Sequence, residues 1–186
     1  MDVEHAEPEW VKSVLRFWFE ELSAADWFAK SDHIDAQIRE RFLGLHEQLS
    51  GNDAAGIFSP REILAAVVVL DQFSRNLFRG SPHAFAADPA ARRLARHAIE
   101  QGFDKAMKKE ERVFLYLPFE HSEDIEDQKK SVALITLLDN EYWTRYAIAH
   151  LEIIERFGRF PHRNAVLNRV STPDEIEMLK DPAKSF

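Results

Sequence analysis

Trp10, Val11, Val14, Leu15, Trp18 and Leu22 recur at the three- and four-residue spacing of one helical face, and Ser23 with the polar stretch behind it marks a stop. Ser31 is placed to cap a second helix, whose stripe is Ile34, Ile38, Phe42, Leu45 and Leu49. Gly51, opening the turn Gly51-Asn52-Asp53, suits a left-handed residue just past its end. Ser59-Pro60 opens a third helix that reaches Phe78. Asp88-Pro89 reads as a cap with a first-turn proline, and Gly102 closes that helix after Ile99. Lys109 to Leu117 predicts a further helix, ended or kinked by Pro118, and Asp124 starts another through Val132, Leu134, Ile135 and Leu138. Asn140 caps a helix to Phe157, stopped by Gly158. After an aperiodic segment containing Pro161, the run Thr172-Pro173-Asp174-Glu175 combines cap, first-turn proline and capping-box acid ahead of a short last helix. No strand-like alternation appears. The expectation is an all-α chain of about eight or nine helices forming one domain over residues 1–186.

The third helix carries the sharpest signal. Ile63, Leu64, Ala66, Val67, Val68, Val69, Leu70, Phe73, Leu77 and Phe78 cover almost its whole circumference, so it is expected to be buried on most sides. At about 100° per residue, Asp71 and Arg75 both point into apolar sectors. They stand four apart with the acid first, the favourable order for a helical ion pair. A buried charge costs several kcal/mol unless it is paired and hydrogen-bonded, so this pair is expected to have further partners, and loss of Asp71 to cost roughly 3 kcal/mol or more if it leaves Arg75 unpaired.

Composition narrows the function classes. With 45% apolar residues, and 14 Phe and 4 Trp against 6 Gly, the chain has enough large side chains for a packed core. A formal charge of −8 argues against nucleic acid or an anionic membrane as partner, because both require an attractive field for phosphate. There is no Cys, hence no disulfide, thiolate metal site or cysteine nucleophile. The acidic start and the absence of a long apolar run lead to the expectation of a cytoplasmic protein.

Polar chemistry is concentrated in three blocks. Beside Asp71 and Arg75 there is Glu120-His121-Ser122-Glu123-Asp124, directly after the aromatic run Phe114 to Phe119. The third is Arg156 to Asn164, a basic knot in an acidic chain, preceded by His150 in the middle of an apolar stripe. His5 and His33 are ordinary polar positions. Leu70 to Asn76, Pro118 to Glu123 and Glu155 to Asn164 together resemble bacterial domain-of-unknown-function family 924, over about Val14 to Leu179. Trp27-Phe28 and Ser171-Thr172-Pro173 fit the same pattern, while Asn168 stands where that family usually has Gly. The resemblance implies a TPR-like, all-helical stack of antiparallel helices, and no activity comes with it.

Three readings of the blocks follow. In the first, they form a closed network that fixes helix register: Asp71 with Arg75 or Arg79, Glu120 or Glu123 with Arg159 or Arg163, and His150 with a carboxylate. In the second, Asp71, Arg75, Arg159, His162, Arg163 and Asn164 hold a small phosphate or carboxylate ligand, since arginine forks grip such anions with two bonds. An enzymatic version uses His121 or His150 as general acid or base, oriented by Glu123 or Asp71. The third makes the helical stack an adaptor for a peptide or protein. His121, Glu123 and His162 lack the second spaced ligand pair of a metal site, so neither a metal nor a cofactor is expected.

Overall fold

The computed structural model describes residues 6–51 and 59–181, and every regular element among them is helical. His5 and the Asn52-Asp53 turn lie outside the described residues. Two compact units are formed, one by the chain to Arg79 with His83–Met107, the other by Gly80–Pro82 with the chain from Lys108 onward. No helix among the described residues is long and apolar enough to cross a membrane.

In the first unit, α1 (Glu9–Arg16) runs directly into a wider π turn, Phe17–Glu21, and stops at the extended residue Leu22. Helix α2 (Asp32–Gly51) starts where Ser31 Oγ accepts from the Ile34 amide at 3.3 Å. Gly51 is the last residue of that helix and is not among the left-handed glycines, so the expected left-handed cap at this position is corrected. The third predicted helix is α3 (Pro60–Val67), a π turn over Val68–Phe73 and α4 (Ser74–Leu77), continuous in chain. Ser59 opens it through a complete capping box with Glu62. From Ile63 to Ser74 every residue is buried, as a helix apolar all round requires. Around it the rings of Phe17, Trp18, Phe42 and Phe73 pack edge-on or tilted, with Phe42 and Phe73 4.9 Å apart.

Helix α5 (Asp88–Glu100) is capped by Ala87, and Asp88 is its first helical residue. The reading of Asp88 as the N-cap is therefore corrected: Ala87 holds that position, and the Asp88 carboxylate accepts both bonds of the Arg75 fork. Gly102, at φ 72°, supplies the left-handed turn that ends the segment.

The second unit contains α6 (Lys109–Glu120), α7 (Ile125–Thr136), α8 (Glu141–Phe157) and α9 (Pro173–Met178). Pro118 lies inside α6 and does not end it; the break comes at His121, whose amide still reaches the Leu117 carbonyl at 2.9 Å. A single proline removes one amide donor, and the bonds on either side of it carry the helix a further turn. Helix α7 starts from Asp124, which accepts from the Glu126 and Asp127 amides, and α8 from Asn140, which accepts from Trp143. Gly158 at φ 68° ends α8, and Thr172 with Glu175 forms the expected capping box of α9. Helix α6 packs on α7 and α7 on α8, as a stack of successive helices requires.

Candidate functional site

The first polar block folds into a closed triad in the first unit. Arg75 Nη1 lies 3.2 Å from Asp71 Oδ1, and the guanidinium straddles Asp88 with contacts of 3.0 and 3.2 Å. It also donates to the Asp71 carbonyl at 2.7 Å, while Gln72 Nε2 donates to Asp71 Oδ2 at 2.6 Å. Asp71 has no exposed surface. Burial opposes the charge on Arg75, but Asp71 and Asp88 outweigh it and raise its pKa above the ordinary arginine value. Asp71 and Arg75 thus behave as a buried ion pair with a second acid, while Arg79 turns instead to Asp35 at 2.8 Å.

In the second unit, two carboxylates are gripped by arginine forks. Glu123 accepts from Arg169 Nη1 and Nη2 at 2.8 and 2.9 Å and from the Phe160 amide at 2.8 Å. Burial raises its pKa, yet Arg169 and the Phe160 amide hold it below the ordinary carboxylate range. Arg159 donates to both oxygens of the buried Glu175, at 2.6 and 2.8 Å, and to the Val170 carbonyl at 2.9 Å. Chiefly through Arg159, the Glu175 pKa falls from 4.5 to about 2. Asn164 Nδ2 donates to Ser171 Oγ at 3.0 Å and to Glu175 Oε2 at 3.3 Å. These contacts fold the aperiodic segment after Gly158 against α9.

A different arrangement surrounds Phe160, a fully buried ring held in place by the Glu123 bond to its amide. The imidazoles of His150 and His162 lie 5.6 and 5.5 Å from it, centroid to centroid, and His121 is 6.4 Å from His150. The Arg163 guanidinium stacks on the same ring at 4.6 Å and donates to the His121 carbonyl at 3.0 Å. His150 Nδ1 is 2.9 Å from the Tyr146 carbonyl, which only accepts, so Nδ1 carries the proton. Burial above all lowers the His150 pKa from 6.5 to about 3, with the nearby charges of His121, His162 and Arg163 acting in the same direction and the Tyr146 carbonyl opposing them. Nδ1 also lies 3.3 Å from Glu120 Oε1, which places a carboxylate beside a neutral ring. With its proton fixed on Nδ1, His150 presents Nε2 as an acceptor at neutral pH.

His150, His162 and Arg163 thus meet the Phe160 ring, His121 and Glu120 lie beside His150, and Glu123 bonds the Phe160 amide. Arg159 and Asn164 are engaged by Glu175, and Asp71 and Arg75 belong to the triad of the first unit. Sequence reasoning missed Asp88, Arg169 and Glu175 as ion-pair partners. Asp88 and Glu175 stood within cap signals that accounted for their charge, and Arg169 stands in a segment with no helical period to orient it. Among the described residues no three His, Asp or Glu side chains are disposed to hold a metal ion.

The model of the family described as "Bacterial protein of unknown function (DUF924)" matches residues 14–183. The structure is similar to that of a protein of unknown function from Agrobacterium tumefaciens, with a TM-score of 0.87 and 38% identity over 91% of this chain and 96% of that one. No curated protein matches. A family match over nearly the full length, together with a solved relative of the same fold, shows that the chain belongs to the DUF924 family of bacterial proteins.

Proposed function

We propose that the chain binds a small carboxylate or phosphate ligand at the cluster of His121, His162 and Arg163 beside Phe160 and His150. The observation that carries this reading is the gathering of two imidazoles and a guanidinium about one buried ring, with a third imidazole 6.4 Å from one of them, in a chain whose net charge is −8. A network serving only to fix helix register needs matched acids and bases, as at Arg159 with Glu175 and Arg169 with Glu123. At Phe160 a guanidinium and two imidazoles meet one ring, an arrangement different from those carboxylate forks. Arg163 supplies a planar donor fork, and His121 and His162 supply ring N–H donors. Glu123 positions Phe160 in this scheme, Arg159 and Asn164 set the course of the segment that carries His162 and Arg163, and Asp71 with Arg75 holds the first unit.

Phosphate and malonate are the probes. Titrated into protein labelled at its histidines, either is expected to shift the His121 and His162 ring signals saturably and to raise the melting temperature by an increment that grows with concentration. His162→Asn, at a half-buried position, and Arg163→Met should each weaken the increment at least ten-fold. Absence of saturable shifts, or the same shifts in both variants, rules the reading out.

A further inference from the structure

The first unit contains a second concave feature that shares no residue with the anion site. It is a cavity of about 350 Å³ bounded by α2, Phe78 and the start of α5, a size within the range of small-ligand pockets. His46 and Ser50 form one side of it, Phe78 and His83 another, and Ala86 and Ala90 are part of the wall that closes it.

The hydrogen bonds of His46 determine what this cavity presents. Ser74 Oγ donates to the Leu70 carbonyl at 2.6 Å, so its hydroxyl proton is spent, and its oxygen accepts from His46 Nε2 at 2.7 Å. A neutral His46 with its proton on Nε2 has an acceptor at Nδ1. Burial lowers the pKa of this imidazole and keeps it in that neutral form. The contact at Nδ1 is Ser50 Oγ at 3.4 Å, at the outer limit of a hydrogen bond and from an exposed side chain. A buried acceptor with so weak a partner gains from a better donor. Beside it, Phe78 packs edge-on to His46 at 5.2 Å and tilted against His83 at 5.8 Å, a corner of flat surfaces. Ala86, Ala87 and Ala90 add apolar surface to the lining. Glu47 and Arg93, both exposed, give the lining one charge of each sign, so its formal charges select for neither an anion nor a cation.

We propose that this cavity takes a small, uncharged, flat ring compound bearing one N–H or O–H donor, which bonds to His46 Nδ1 and lies against Phe78 and His83. At the ~30 Å³ that a water occupies in the liquid, the volume corresponds to about twelve waters, room for a bicyclic ring compound. Indole and benzofuran, which differ in the N–H, are the probes. Indole is expected to shift the Ala86, Ala87 and Ala90 methyl signals and the His46 Nδ1 resonance saturably, and benzofuran to bind at least ten-fold more weakly. Ala86→Phe, a substitution at an exposed position that fills the cavity, should abolish indole binding while melting as the unaltered protein does. Ser50→Ala removes the competing hydroxyl and should leave indole affinity unchanged or raised. Equal affinity for the two probes, no response at the named methyls, or unaltered indole binding in Ala86→Phe would overturn the proposal. Loss of binding in Ser50→Ala would move the donor contact to Ser50 and overturn the role of His46.

Discussion

Arg75 is the position where the structure makes the largest energetic demand. Its guanidinium serves Asp71 Oδ1, the Asp71 carbonyl and both oxygens of Asp88, at distances between 2.7 and 3.2 Å. The Asp71 and Asp88 side chains are 0% and 6% exposed. Arg75→Met retains the aliphatic stem but removes the cation that contacts both buried carboxylates. Breaking a buried pair in this way costs about 3–5 kcal/mol. At roughly 2–4 °C per kcal/mol for a protein of this length, the melting temperature should fall by roughly 6–20 °C. Asp71→Asn is a milder change, because Arg75 retains the Asp88 fork and the Asp71 carbonyl; about 1–3 kcal/mol is expected. The same reasoning lowers the cost of Asp71→Ala from what the sequence implies, since Asp88 prevents Arg75 from being stranded. Combining Asp71→Asn with Asp88→Asn strands the guanidinium, so the double variant should lose more than the sum of the single ones. Thermal and urea unfolding followed by circular dichroism, with the exposed Glu40→Ala as control, measures all of these. The reasoning fails if Arg75→Met melts within about 2 °C of that control, or if Asp71→Asn costs as much as Arg75→Met.

Two further outcomes test the second unit. The Glu175 carboxyl, held near pKa 2 against an ordinary 4.5, contributes stability that is fully present above pH 4.5 and is lost as pH falls through about 2. Glu175→Gln should therefore unfold at lower urea than the native chain at neutral pH, and the two should converge as the pH falls from 4.5 towards 2; curves that stay parallel would remove Glu175 from the acid response. Asn168 has φ 54° in the left-handed region, which asparagine tolerates and glycine adopts freely. Asn168→Gly should change stability by less than about 0.5 kcal/mol and Asn168→Val should cost about 1–2 kcal/mol; equal urea midpoints for the two would mean that backbone strain does not act here.

The helices were legible because their signals are local. Ser59, Asp124, Asn140 and Thr172 each accept from an amide two or three residues ahead, within reach of a reading along the chain. Burial of Asp71 followed from the apolar residues around it on the helix. The partner choices were not legible, because they depend on residues distant in sequence. Arg169 meets Glu123 across 46 positions, and Arg163 reaches the His121 carbonyl across 42. Asp88 shows how a correct local pattern can mislead: Asp-Pro before a helical run reads as a cap, yet an arginine thirteen residues earlier takes the carboxylate.

Those long-range pairings also sort the polar blocks by what they can do. Once Arg169 is matched to Glu123 and Arg159 to Glu175, two arginines and two acids cancel, and each carboxylate is gripped by two guanidinium nitrogens. His150, His162 and Arg163 form a second set that meets on Phe160, with His121 and Glu120 beside His150. The link between the sets is the Phe160 amide, which bonds the same Glu123 that Arg169 grips. A rigid, neutralised frame thereby fixes the ring on which the imidazoles and the guanidinium gather. Ligand sites are built in this way, with saturated outer bonds leaving the inner groups little freedom to reorganise. It follows that Arg169→Gln, which touches none of the imidazoles, should loosen Phe160 and weaken phosphate or malonate binding while His162 and Arg163 remain in the chain. Unchanged binding in that variant would show that the frame and the cluster are energetically separate.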